Sequence, residues 1–395
     1  MAEIREFRAK RTQENSNAEF KDKIKQYRKS SFIKRISIIL IVTVVIVGLY
    51  SYVKNQTYST MSTKREVEYN KVENTRFLES NGKLVTYSKD GISCMDTKGN
   101  ALWNLTYEMQ SPIVHAVGNM VAVADYNGHI IYLIGEKGNT VQIDTNLPIR
   151  DYALDKNGSV AAILEDTGTA WVNLYSKSGE KIAEAKATMT KTGYPVTVAV
   201  SGEVMGVSYF YADGKQMKSS VTFCNFGGVG ENVTDHIVSS YDYANAVVPL
   251  IEFLDSETIF AVADNRLMFY SGSKKPVGKA DVLLNEEIQS VYYGDGKVAL
   301  IFYDTSGEGK YRMDVYTPDG KKQLSKIFDM DFKDIIIRNN QIMIYNEQQC
   351  CLYKMNGKVK YEGVFDGMAM YMMATDSPRK FILLEEDSLK TIEFR

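Results

Sequence analysis

Histidine is scarce in this chain. His115, His129 and His236 are the only three in 395 residues. None has another histidine, a cysteine or an acidic cluster at ligand spacing, so no histidine-based metal site is expected. The four cysteines, Cys94, Cys224, Cys350 and Cys351, are too few and too scattered for a disulfide framework. Because the first of them is Cys94, a lipid-modified N-terminal cysteine is excluded. There is no nucleophile elbow and no calcium-loop pattern. Gly227-Gly228-Val229-Gly230 follows a strand, but no Lys-Ser/Thr pair or helix follows it, so it is not a phosphate cradle. Beyond residue 54 almost no segment keeps a 3.6-residue apolar period for three turns, which excludes an array of paired helices.

Charge is unevenly divided. Residues 1–35 hold eleven Lys/Arg against five Asp/Glu, a net +6, and residues 36–53 hold no charge. The remainder is therefore −8, which argues against a nucleic-acid partner there. The uncharged run, ISIILIVTVVIVGLYSYV, would extend ~27 Å as a helix, close to the ~30 Å hydrocarbon core of a bilayer. The charged region before it is too long for a cleaved signal peptide, and no small-x-small site follows Gly48. The expectation is one transmembrane helix at 36–53, a basic cytoplasmic tail at 1–35 and a short stalk at 54–64. The positive-inside rule places residues 65–395 outside the cell membrane.

Those residues are repetitive. Short strand-like runs recur, led by Leu84, Val121, Val160, Val204, Ile259, Val298, Ile342 and Phe381, at steps of 37, 39, 44, 55, 39, 44 and 39 residues. Each run is followed by a turn and a second strand. Further turns, such as Thr97-Lys98-Gly99, Glu136-Lys137-Gly138 and Met355-Asn356-Gly357, lead to a more polar outer strand. The period suits a four-stranded propeller blade. The eighth cycle lacks its outer strand, because the sequence stops at Arg395, whereas residues 65–72 form a strand-like segment without neighbours. The expected fold is all-β, an eight-bladed β-propeller closed by 65–72, with seven blades as the alternative pairing.

Asp96-Thr97-Lys98-Gly99-Asn100-Ala101-Leu102-Trp103 resembles the Asp-x-x-Gly-x-x-x-Trp pattern of quinoprotein-like propellers, and the repeat as a whole is similar to WD40-like ones. The layout of basic tail, single span and propeller resembles a family of uncharacterised membrane-anchored propellers from Gram-positive bacteria. The quinoprotein likeness implies an oxidoreductase alternative in which vicinal cysteines, here Cys350 and Cys351, pack against a quinone. Adjacent strand residues point to opposite faces, however, and the tryptophan recurs in none of the other seven repeats. No cofactor is expected, and the cysteines read as packed thiols. Met368, Met370, Met372 and Met373 read as an innermost strand rather than a soft-metal site.

The 55-residue step marks blade 4 as carrying an insertion at roughly 227–247, with His236, Tyr241, Asp242 and Tyr243 as candidate partner-binding residues. The functional expectation is a non-enzymatic, membrane-tethered scaffold that binds an envelope protein or wall-associated ligand. The alternative is a quinoprotein-like oxidoreductase or another enzyme at the channel mouth.

Overall fold

The computed structural model describes residues 32, 34–49, 57–70, 72–187, 193–214 and 216–395. The chain divides into two units, 1–57 and 58–395. In the first, residues 34–49 are helical with exposed, mostly apolar side chains. Among the described residues no helix is long and apolar enough to cross a membrane. The expected span at 36–53 is therefore not shown, since sixteen helical residues reach only ~24 Å and 50–53 lie outside the described residues.

The second unit is all β. Its described strands form eight four-stranded antiparallel sheets, seven of them built from consecutive strands. These are blades 1 to 7, at 76–106, 112–144, 149–187, 194–244, 250–283, 290–328 and 334–364. Blade 8 takes its three inner strands from 371–394 and its outer strand from Met61–Glu68, which pairs antiparallel with Ser388–Phe394. The closing strand thus begins four residues earlier than 65–72, and the expected stalk at 54–64 already belongs partly to the ring. The periodicity within REVEYNKV is weak, and a bulge between Thr63 and Arg65 hides the register from a period-2 pattern.

Eight apolar clusters hold the ring, one at each blade–blade interface, including that between blades 8 and 1, where Tyr69 and Leu84 meet Met373, Ile382 and Leu389. The middle strands of a blade are covered on both faces by neighbouring blades. Met120–Asp125, Thr258–Ala263 and Lys297–Tyr303 are accordingly apolar almost throughout rather than alternating. Outer strands such as Ala101–Thr106 face solvent and alternate.

Turns between third and outer strands lie on what we term the lower face, and their glycines dock on the preceding blade. A β-carbon at Gly138 would lie 2.5 Å from Trp103 Cβ, and one at Gly357 2.9 Å from Leu324 Cδ1. Both glycines have φ of +80°, which side chains rarely adopt. Gly179 meets Val141 and Gly320 meets Ala280 in the same way. The outer-strand position that is tryptophan in blade 1 is only a surface for the next blade's glycine, so Val, Ala or Leu serves elsewhere.

Blade 4 corrects the expected insertion. Residues 227–247 include a regular outer strand, Ile237–Ala244. The long step arises from two ten-residue strands, Val204–Asp213 and Gln216–Asn225, and from a link that ends in the short 3-10 turn Thr234–His236.

Candidate protein-recognition site

The candidate residues of blade 4 are mostly committed to packing. Tyr243 is buried, and its hydroxyl shares a 2.7 Å hydrogen bond with Tyr270 of blade 5. The Tyr241 hydroxyl donates to Pro276 O (3.3 Å) and accepts from Gly278 N (2.9 Å), tying blade 4 to the turn of blade 5. His236 Nδ1 lies 3.1 Å from Gly230 O, with its ring against Phe226. Asp242 is exposed. The structure therefore places Tyr241, Asp242 and Tyr243 on one outer strand, with His236 in the turn before it, but turns the two tyrosines towards the neighbouring blade.

Concave surface lies instead on the upper face, formed by the turns between second and third strands and by the links from one blade to the next. A cleft of about 480 Å³ opens between blades 7, 8 and 1. Phe77, Tyr371, Tyr345, Met368 and Met370 give it an apolar lining, and Arg76, Lys333, Asp334, Glu347 and Glu386 supply charge. A second cleft of about 1000 Å³ continues between blades 1 and 2 past Tyr87, Ser111, Ile113 and Tyr126. Thr75 and Arg76 line both. A third, of about 240 Å³, runs along blade 1 from Val72 and Thr75 to Thr106.

Each wall has a local cause. The link into blade 2 is fixed because the Asp125 carboxylate accepts from the amides of Gln110 (3.0 Å) and Ser111 (2.6 Å). In the first cleft Phe77 stacks on Tyr371 with ring centroids 6.0 Å apart. Tyr345 accepts from Met372 N at 3.1 Å and also hydrogen bonds to the Asp334 carboxylate, whose pKa burial raises. Lys333 pairs with Glu347 at 3.7 Å. Arg76, at the junction of two clefts, is exposed and has no ion pair among the described residues. Further round the rim, Arg150 Nε meets Glu165 Oε2 at 2.9 Å, and the same oxygen accepts from the Tyr194 hydroxyl at 2.6 Å. The guanidinium lies 5.6 Å from the Tyr126 ring centre.

Single exposed apolar side chains occur on both faces, as on any protein surface. On the upper face they edge clefts: Met368 (53% exposed) the first, Tyr126 (44%) the second and Val72 (64%) the third. Met372 and Met373 are packed between blades, so the methionine run is half core and half cleft. Sequence reasoning missed Arg76, Phe77 and Tyr126 because they lie in repeats of ordinary length. No local signal marked them, since other inner strands also begin with charged or aromatic residues such as Asp334 and Tyr371.

Ionisable groups also sit on the inner and third strands of the blades. Glu252 accepts from the Tyr293 hydroxyl, and burial, then the charge of Asp151, pushes its pKa up to about 7. Asp151 accepts from Thr197 Oγ1 at 3.0 Å. His115 packs edge-on against Tyr152 at 4.7 Å, its Nε2 is buried without a hydrogen-bond partner among the described residues, and burial pushes its pKa down to about 4. Cys350 and Cys351 are free thiols in different interface clusters, and burial raises them to about 12 and about 11. Among the described residues no three His, Cys, Asp or Glu side chains gather as a metal site.

Residues 54–394 match the family of unknown function DUF5711, and the chain belongs to that family. No curated protein matches it. Among solved structures it is similar to a eukaryotic initiation factor, at 13% identity and a TM-score of 0.50 over 80% of this chain and 82% of that one. It also resembles BamB from Moraxella catarrhalis, at 9% identity and a TM-score of 0.48 over 85% and 100% of the two chains. A third is apo AztD from Citrobacter koseri, at 11% identity and 0.48 over 75% and 86%. At such identities the likeness is one of fold.

Proposed function

We propose that this family member is a membrane-tethered propeller scaffold whose upper face binds a protein of the cell envelope. The observation that carries this is the meeting of two clefts at Arg76, an exposed guanidinium without an ion pair among the described residues, beside an aromatic and thioether lining. Aromatic, methionine and arginine side chains are those enriched where protein interfaces are buried. Residues 36–53 would provide the tether, with the N-terminus cytoplasmic and the ring outside. The helix at 34–49, with exposed apolar side chains, supports that reading.

The test uses a photocrosslinking amino acid in native membranes, placed at Met368 or Tyr126 on the upper face and at Val277 on the lower. The expected result is a discrete crosslinked partner from both upper positions and none from Val277. Equal crosslinking from the two faces would remove the upper face from consideration.

A second reading rests on Glu252. This carboxyl sits on an inner strand against the Tyr293 hydroxyl, and burial pushes its pKa up to about 7, the range in which a general acid or base works at neutral pH.

A further inference from the structure

Positive charge is concentrated where the chain joins the ring. Tyr58 is buried between blades 7 and 8, with its ring 6.2 Å from that of Phe394. Its amide donates to Lys360 O at 2.7 Å, and its hydroxyl accepts from Lys360 Nζ at 2.9 Å. The Lys360 ammonium and the Arg379 guanidinium lie 4.5 and 5.8 Å from its ring centre. With the Gln341 amide assigned in the orientation that satisfies both its ends, its oxygen accepts from Lys360 Nζ at 2.8 Å and its nitrogen donates to Pro378 O. Buried Lys360 is thus held by a phenol, an amide and a π face rather than by a carboxylate.

The neighbours extend the charge. Lys354, buried like Lys360, pairs with Gln341 across the sheet, and its amide donates to Lys358 O at 2.9 Å, which leaves Lys358, Lys380 and Arg395 as the exposed cations of the edge. Desolvation, then Lys360 and Lys358, lower the pKa of Lys354. Phe394 N donates to Arg379 O, and the Ser59 and Thr60 amides donate to Arg395 O, which brings Arg395 to the same place. Exposed Lys380 follows Arg379. The acids here are already engaged: Glu393 by Lys64 at 3.2 Å and Arg395 at 3.0 Å, and Asp376 by Arg338 at 3.2 Å. Six cations on one lower edge contrast with the −8 carried by residues 54–395 as a whole.

We infer that this edge, centred on Tyr58 and carrying Lys354, Lys358, Lys360, Arg379, Lys380 and Arg395, is a contact surface for the anionic headgroups of a lipid bilayer. The inference rests on the tether proposed above. Four residues, 54–57, separate Val53 from Tyr58, and even fully extended these five Cα–Cα steps span at most ~18 Å. Anionic headgroups complement clustered Lys/Arg over about a Debye length.

The full chain is reconstituted in nanodiscs of phosphatidylcholine alone or mixed with phosphatidylglycerol, with a nitroxide-headgroup lipid as quencher. A fluorophore is carried on Asn356→Cys beside the patch or on Thr305→Cys on the upper face; the native thiols are buried. Quenching at 356 should rise several-fold with phosphatidylglycerol and fall back in high salt, whereas quenching at 305 should not change. Lys354→Glu/Lys358→Glu/Lys380→Glu should abolish the rise, and the exposed Lys380→Glu alone should weaken it if the triple variant does not fold. Equal quenching at 356 in both lipids, or a response untouched by these substitutions, overturns the inference. Loss of the tether is read separately, as chain stripped from the nanodiscs by alkaline carbonate. The patch must then still give salt-sensitive co-flotation with phosphatidylglycerol vesicles, or it falls as well.

Discussion

The two faces of the ring are built on different rules. On the lower face, short turns repeat a common geometry in five blades but not in the fourth, and the five glycines seat against the blade before them, as Gly138 does on Trp103. On the upper face, turns and links vary in length and side chain, and the concavities lie there, with Phe77, Tyr126 and Met368 at their edges. The lower face closes the ring, and close packing leaves little freedom there. The upper face is held by the same blades but is not itself needed for closure, so it is free to carry recognition.

The largest effect should come from removing the strand that closes the ring. A chain beginning at residue 69 loses the partner of Ser388–Phe394 and the Tyr58 contacts in the cluster between blades 7 and 8. We expect a loss of at least ~5 kcal/mol, on the order of a domain's whole stability, with an exposed edge that promotes aggregation. Thermal melting and size-exclusion chromatography against a chain beginning at 57 measure it. Equal melting temperatures would show that closure lies elsewhere.

A paired glycine comparison sharpens the contrast between faces. Gly138 has φ of +80° and Gly168, in an upper turn, +76°, but only Gly138 has a neighbour within 4 Å of a β-carbon. Gly168→Ala should cost ~1 kcal/mol for the backbone alone, and Gly138→Ala ~3 kcal/mol once the clash with Trp103 is added. Matching costs in chemical denaturation would mean that the glycine is not a docking element.

This contrast also explains what the sequence could tell. The spacing of Leu84, Val121 and their successors revealed eight blades because middle strands are buried on both faces and are mostly apolar. The turn glycines were legible because positive φ narrows the choice of residue. Tyr241 and Tyr243 misled, since an aromatic pair on an outer strand reads as a surface feature until the next blade is present to cover it. Arg76 and Phe77 were illegible for the opposite reason. They meet Lys333, Met368 and Tyr371 only after the chain has travelled the whole circle, and no local period encodes that encounter.

Two ionisable groups on inner strands, His115 and Glu252, respond to pH in opposed ways. His115 has a folded pKa of about 4, below its unfolded ~6.5. Its contribution is complete above ~6.5 and is lost as pH falls towards 4. Glu252 has a folded pKa of about 7, above its unfolded ~4.3. Its contribution is complete below ~4.3 and is lost as pH rises through 7. Glu252→Gln should therefore be more stable than the parent at pH 8, by ~1–2 kcal/mol after discounting for solvent screening, and no more stable at pH 4. A gain that is equal at both pH values would remove Glu252 from the account.

The smallest effect on the fold, and the most telling for function, belongs to the upper face. Arg76 and Tyr126 are exposed and sit outside the eight interface clusters. Arg76→Glu combined with Tyr126→Ala should leave stability within ~0.5 kcal/mol, as surface substitutions do. If the clefts are the binding site, the same pair should weaken capture of the crosslinked partner at least ~10-fold. Truncating a buried aromatic or arginine anchor commonly costs more than ~1.4 kcal/mol, a factor of ten in affinity. Reversing charge at Arg76 alone should shift the salt dependence of association, because an unpaired guanidinium steers an acidic partner at a distance. Unchanged capture with unchanged melting would assign recognition to the lower face and reverse the comparison.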